Sequence, residues 1–211
     1  MTTAVRWPAS ARYEDAESNA PGGLGFVQDL LNTASLGKPR QADLLDSVES
    51  ARQWLDSSFA VLHQVDPGAP AAPDDLDADG LRHVLSLRDD LRTVLSAHPP
   101  EGPPSGAVAV SVPSIETTAA VTLGAGGARL RPQGAGVEAV RSYTLIQLVA
   151  ASYGGTLRRL KVCANPRCRG AFYDRSKNCS RVWHDVSTCG NTQNVRAYRA
   201  RLKERGLSSA Q

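Results

Sequence analysis

A chain of 211 residues with a net charge of +3 is long enough for one well-packed domain plus a small appendage. It holds no run of eighteen apolar residues and does not open on a charged, then apolar, then small-residue leader. A membrane span and a secretory signal are therefore not expected, and a cytoplasmic location is. The modest net charge conceals an asymmetry: residues 156–211 hold 13 Lys and Arg against Asp174, Asp185 and Glu204, a balance of +10, while residues 1–155 carry −7. Two regions of opposite sign are expected to do different jobs.

In chain order, the first twenty residues show no apolar periodicity and end at Pro21-Gly22-Gly23, which reads as a poorly ordered arm. Residues 25–34 read as a short buried helix with Phe26, Leu30 and Leu31 on one face. A helix is expected from Pro39 to about residue 64, because Leu44, Leu45, Val48, Ala51, Leu55, Phe59 and Leu62 recur at three- and four-residue steps. After the turn-forming stretch 66–73, a further helix is expected over 75–97. The acidic run Asp74, Asp75, Asp77 and Asp79 sits at its start, where the helix dipole favours it, and lacks the glycine and terminal glutamate of a calcium loop. The period then shifts. Residues 107–112, 119–123 and 128–131 are short Val- and Ala-rich runs that read as a small antiparallel sheet, with the glycine-rich 124–127 as a turn rather than a phosphate loop. An apolar helix over 137–153 ends at Gly154-Gly155, which marks the expected boundary between a regulatory domain, 21–155, and a small module, 156–211.

The front region offers no recognisable chemistry. His63, His83 and His98 lack any metal-like spacing, and neither a nucleophile paired with a base nor an open metal site can be named, so an enzyme is not expected. All four cysteines, in contrast, fall in one 27-residue window: Cys163, Cys168, Cys179 and Cys189. Without an export signal, that clustering favours metal over disulfides. Cys163 and Cys168 with His184 and Cys189 make two close pairs separated by a loop, the pattern of a structural zinc site. Spacing alone does not exclude Cys179 in place of His184.

Residues 160–201 closely resemble the bacterial CGNR zinc finger. A cysteine pair, the Phe172-Tyr173-Asp174-Arg175-Ser176 stretch, Trp183 and Cys189-Gly190-Asn191 follow that family's order. The resemblance implies one structural zinc held by Cys163, Cys168, His184 and Cys189, with His184 standing where the family has a cysteine. Thr192 replaces the signature arginine. Upstream, Leu30-Leu31-Asn32-Thr33 and the order of helices, small sheet and helix are similar to the stress-induced transcription regulator domain that precedes this finger. The implied fold is α+β: a mainly helical N-terminal domain with a small antiparallel sheet, then a zinc finger ending in a basic helix.

After Cys189, the run from Asn191 to Arg205 has helical spacing. Val195, Tyr198 and Leu202 form an apolar stripe, while Thr192, Arg196, Arg199 and Lys203 share another face with Arg201 and Arg205 nearby. Arg158, Arg159, Lys161, Arg167, Arg169, Arg175, Lys177 and Arg181 crowd the metal site with little acidic compensation, an excess that attracts phosphates. Tyr173 and Trp183 are expected to pack around the metal. The nucleic-acid-binding candidates are Arg175, Lys177, Arg181, Arg196, Arg199, Arg201, Lys203 and Arg205. The expected function is DNA-binding transcription regulation, with a protein partner or small-molecule signal on the front domain. The competing reading is a finger that docks on an acidic protein of the transcription machinery.

Overall fold

The computed structural model describes residues 5–13, 18–37, 40–97 and 112–208, apart from the side chains of 197, 200 and 203–208. Helix α1, Leu24–Asn32, is buried at every position and lies at the centre, packed by α2 (Val48–Val65), α3 (Ala78–Ala97) and α4 (Val137–Tyr153). Such a helix must satisfy its own polar groups. Asp29 does so with three donors: its Oδ1 accepts from the Ser10 backbone N–H at 2.7 Å, and its Oδ2 accepts from Trp54 Nε1 at 2.8 Å and Ser58 Oγ at 2.7 Å. Burial raises the Asp29 pKa, and these hydrogen bonds oppose the rise.

Of the first twenty residues, those described, 5–13 and 18–20, pack onto the core and do not form an arm apart from it. Trp7, Ala9 and Ser10 are buried, the Trp7 ring meets Phe26 edge-on at 6.3 Å, and a short 3-10 turn, Ser10–Arg12, hands its backbone to Asp29. A side chain at position 25 would overlap the Trp7 indole, so Gly25 permits the contact. A single aromatic anchor on irregular backbone leaves no periodic trace in the sequence, which is why the segment reads as an arm.

Helix α2 starts nine residues later than the expected Pro39, a residue outside those described. Ser47 and Ser50 form a reciprocal capping box there, and a cap fixes a start that apolar spacing alone cannot. Leu44 and Leu45 precede the helix, with Leu45 buried in the core all the same. The acidic run before α3 serves as a helix start: Asp77 Oδ1 accepts from the Gly80 N–H at 2.8 Å. Strands β1 (Ala119–Gly124) and β2 (Gly127–Pro132) form an antiparallel ribbon with Val121 opposite Leu130. The further strand expected over 107–112 falls outside the described residues except for Val112, and so does His98. Ser142 of α4 pins the base of the ribbon, accepting from Gln133 N–H and donating to Thr118 O.

Beyond α4 come a second antiparallel pair, β3 (Leu160–Val162) with β4 (Ala171–Tyr173), a π-helical turn at Val186–Gly190, and α5, Asn191–Ser208. Among the described residues, five α-helices and two small antiparallel sheets make the fold α+β. Strand β4 shows how the finger is seated. Successive side chains of a strand point to opposite faces. Ala171 and Tyr173 join the core of Trp7, Phe26, Leu91 and Tyr143, while Phe172 joins a second small cluster with Cys163, Cys168, Cys189 and Trp183. The main core is thus continuous across the Gly154-Gly155 boundary. Tyr173 packs into it and not around the metal ligands, as Trp183 does.

Candidate metal centre and basic helix

The loop between Cys163 and Cys168 folds as a tight knuckle because Asn165 organises it. Its side chain accepts from Arg167 N–H at 3.1 Å, and its carbonyl accepts from the N–H groups of Cys168 and Arg169 at 2.9 and 3.0 Å. Arg169 sits at φ 58, a left-handed turn held by these bonds. The Gly170 N–H then donates toward Cys168 Sγ at 3.4 Å. An Asn-Pro pair between two cysteines is a turn signal that could have singled out Asn165.

The second pair of candidate ligands comes from the other end of the finger. Asp185 Oδ1 accepts from Ser187 N–H at 2.6 Å and Thr188 N–H at 3.3 Å, starting the turn that carries Cys189. A Cβ at Gly190 would lie 3.0 Å from Trp183 Cδ1, so the glycine lets the indole close over the site. The ligand atoms of Cys163, Cys168, His184 and Cys189 all lie within 4.8 Å of one another. His184 Nδ1 is 3.3 Å from Cys168 Sγ and 3.5 Å from Cys189 Sγ. A tetrahedral zinc with ordinary Zn–S and Zn–N bonds would set such edges at about 3.6 Å. Cys179 is buried elsewhere, its Sγ 3.5 Å from Arg158 O, and is not part of the group.

Electrostatics point the same way. The hydrogen bond from Cys168 stabilises the Cys163 thiolate and lowers its pKa, while that bond and burial push the Cys168 thiol up. Burial and the neighbouring Cys163 charge raise Cys189 as well. Thiols this close oppose one another's ionisation unless a cation supplies the missing charge. Three sulfurs and one imidazole within 4.8 Å of one another fit one zinc ion, whose part would be to cross-link the knuckle to the turn before α5.

Several cations of the finger turn inward. Lys161 pairs with the fully buried Asp174 at 2.7 Å and donates to Cys179 O and Arg181 O. Arg159 donates to Asp174 O at 2.8 Å and Ser176 O at 2.9 Å. Burial alone would raise the Asp174 pKa. The Lys161 ammonium, Ser176 and the N–H groups of Ser176 and Arg181 outweigh it and hold the carboxyl at about 2. Two of the proposed nucleic-acid contacts also have structural partners: Arg175 Nη2 donates to Asn19 O at 2.6 Å, and Arg181 donates to His184 O. Part of the basic excess is therefore structural. Lys177 and Arg167 are exposed. On α5, Arg199 and Arg201 are exposed and Arg196 is half-buried, and no hydrogen bond or ion pair ties any of the three to the described residues. The side chains of Lys203 and Arg205 lie outside the described set. Thr192, in place of the signature arginine, donates its hydroxyl to Thr188 O, while Gln193 Nε2 donates to Asn165 Oδ1 at 2.9 Å and ties the first turn of α5 to the knuckle.

The finger is strapped to the front region by backbone recognition that the sequence did not reveal. Asn32 and Ala171 exchange two hydrogen bonds, Gln28 Nε2 donates to Ala171 O at 3.4 Å, and Arg92 spans Leu31 O at 2.9 Å and Arg169 O at 2.7 Å. Burial, with the Arg169 and Arg88 charges, lowers the Arg92 pKa to about 10. Among the described residues no helix is long and apolar enough to cross a membrane.

A comparison with curated proteins finds no match. Two family models do match, and they meet end to end. Residues 159–202 match the CGNR zinc finger, which spans all four clustered ligands. Residues 25–158 match the ABATE model, described as "Putative stress-induced transcription regulator". Since that second match covers more than half of the sequence, the chain belongs to the ABATE family, with a CGNR zinc finger joined directly to its regulator domain.

Proposed function

We propose that the chain is a DNA-binding transcription regulator in which the zinc-ordered finger presents α5 to the phosphates of duplex DNA. The observation that carries this reading is the state of Arg196, Arg199 and Arg201. They stand on a helix that begins two residues after the last metal ligand and have no partners among the described residues, whereas Arg159, Lys161 and Arg181 nearby have theirs. Cations with no structural task on a region of net charge +10 suit counterion-releasing contacts.

The metal has no catalytic part in this reading, because four protein ligands complete a tetrahedral shell and leave no position for a substrate. The front region, with its net −7, repels phosphate and is the place for a signal or a partner. One observation favours the second reading, docking on an acidic protein: Val195, Tyr198 and Leu202 of α5 are exposed. Retention of random-sequence duplex by the zinc-loaded chain on a column separates the two. Retention that falls with salt supports DNA binding. Passage of the protein unretained at low salt would count against it.

A further inference from the structure

Among the described residues nothing covers the apolar stripe of α5: Val195 is 47%, Tyr198 58% and Leu202 49% exposed. On a helix the three lie within about 60° of one another, and their neighbours around the circumference are cationic. Arg196 and Arg199 stand about 70–130° to one side of the stripe and Arg201 about 90° to the other. That arrangement selects among occupants. A second copy of α5 would place arginine against arginine along both flanks of the seam, where paired helices need opposite charges. Polyanionic walls on both sides of an apolar floor are what the stripe and its flanks complement, and a helix of about 10–12 Å diameter matches a major groove about 12 Å wide.

We infer that α5 enters the major groove of duplex DNA stripe-first. Arg196 and Arg199 then reach one phosphate backbone and Arg201 the other, and Val195 and Leu202 read the C5 methyl groups of thymine. The inference rests on the DNA-binding reading above and adds to it the groove, the orientation and the base feature recognised. Aliphatic side chains have no hydrogen bonds to offer guanine or cytosine. The thymine methyl is the apolar mark that the major groove displays. Asn194, exposed four residues before Tyr198 and so on the same side, adds an amide of the kind that pairs with adenine. The sites recognised are accordingly rich in T·A pairs.

The test begins with duplexes selected from a randomised pool by the zinc-loaded full chain. They are resynthesised with uracil in place of thymine, which removes the methyl from the major-groove wall and leaves the phosphates and the minor groove unchanged. Binding should weaken about four-fold for each methyl contacted, the value expected for one buried methyl group. In the Val195→Ala/Leu202→Ala double variant the preference for thymine over uracil should vanish while the salt dependence stays. Alanine on an exposed helix face keeps the helix, and zinc content with circular dichroism checks that it has. Equal binding of thymine and uracil duplexes by the wild type, with salt dependence intact, would overturn the stripe-first orientation and leave phosphate binding standing. So would a folded double variant that loses both duplexes alike. If the zinc-loaded chain enriched no duplex but bound an acidic peptide such as poly-glutamate, DNA binding itself would fail, and this inference with it.

Discussion

Asn32 holds the finger by its backbone. Its Nδ2 donates to Ala171 O at 2.9 Å and its Oδ1 accepts from the Ala171 N–H at 2.8 Å, a paired contact across 139 positions of sequence, buried on both sides. Ala171 lies three residues after Cys168, so the same amide that completes α1 also fixes the strand leaving the metal knuckle. Asn32→Asp turns the donor into an acceptor facing a carbonyl, and Asn32→Leu leaves the Ala171 N–H without a partner and its carbonyl with only the long bond from Gln28. Each variant should lose about 2–4 kcal/mol of stability, from one or two buried groups left unsatisfied. Denaturant unfolding of the zinc-loaded chain checks this. Faster zinc release to a chelator should accompany the loss, while Asn194→Leu on the exposed face of α5 should change neither.

That contact also marks where sequence reading stops. Helix α4 and the β1–β2 ribbon were legible because one long apolar run and two short Val- and Ala-rich runs are bounded by glycines. The four clustered ligands were legible because a zinc site needs close pairs of soft donors, although choosing His184 over Cys179 needed the family resemblance. Trp7, Asn32 and Arg92 were not legible: one anchor on irregular backbone and two side chains aimed at distant carbonyls leave no periodic signal. The same limit explains why the finger reads as a separable module. Its β4 alternates Ala171 and Tyr173 into the front core with Phe172 toward the metal, and only the fold shows which face meets what.

Zinc content separates the cysteines by role. Cys163→Ser and Cys189→Ser should lose the metal, since each removes a thiolate from a closed shell. Cys179→Ser should retain one zinc per chain, because that sulfur faces Arg158 O outside the group. X-ray absorption should report three sulfurs and one nitrogen, and four sulfurs would transfer the ligand role to Cys179. Chelation should lower the melting midpoint of the whole chain and not of residues 160–205 alone, because Leu160, Ala171 and Tyr173 belong to the main core. Hydrogen exchange in α1 and α3 before and after chelation reads this directly.

Asp174 gives the finger an acid-sensitive tie. Its folded pKa of about 2 lies below the ordinary carboxylate value of 3.8, so the ionised carboxylate adds stability that is fully present above about pH 4 and is lost as pH falls toward 2. A shift of this size corresponds to about 2–3 kcal/mol. Asp174→Asn should be less stable than the wild type by about that amount at neutral pH. The gap should close as both are taken from pH 4 to 2. Comparing the two proteins at each pH cancels the acid release of zinc that both undergo, and a gap that stayed constant down to pH 2 would show that Lys161 does not stabilise the carboxylate as described.

The central claim, a zinc-ordered finger that binds DNA through the cations of α5, is tested most directly by the salt dependence of duplex binding. The zinc-loaded chain, the chelated chain, the Arg196→Ala/Arg199→Ala/Arg201→Ala variant and Thr192→Arg are titrated against one fixed duplex from low to moderate salt. With each contact worth about 0.9 in the slope of log affinity against log salt, the triple variant should flatten the slope by about 2.7 at unchanged zinc content, and Thr192→Arg should steepen it by about 0.9. Chelation should weaken binding throughout. Identical slopes in the wild type and both variants, or binding indifferent to zinc, would contradict the claim and leave α5 as a solvated helix.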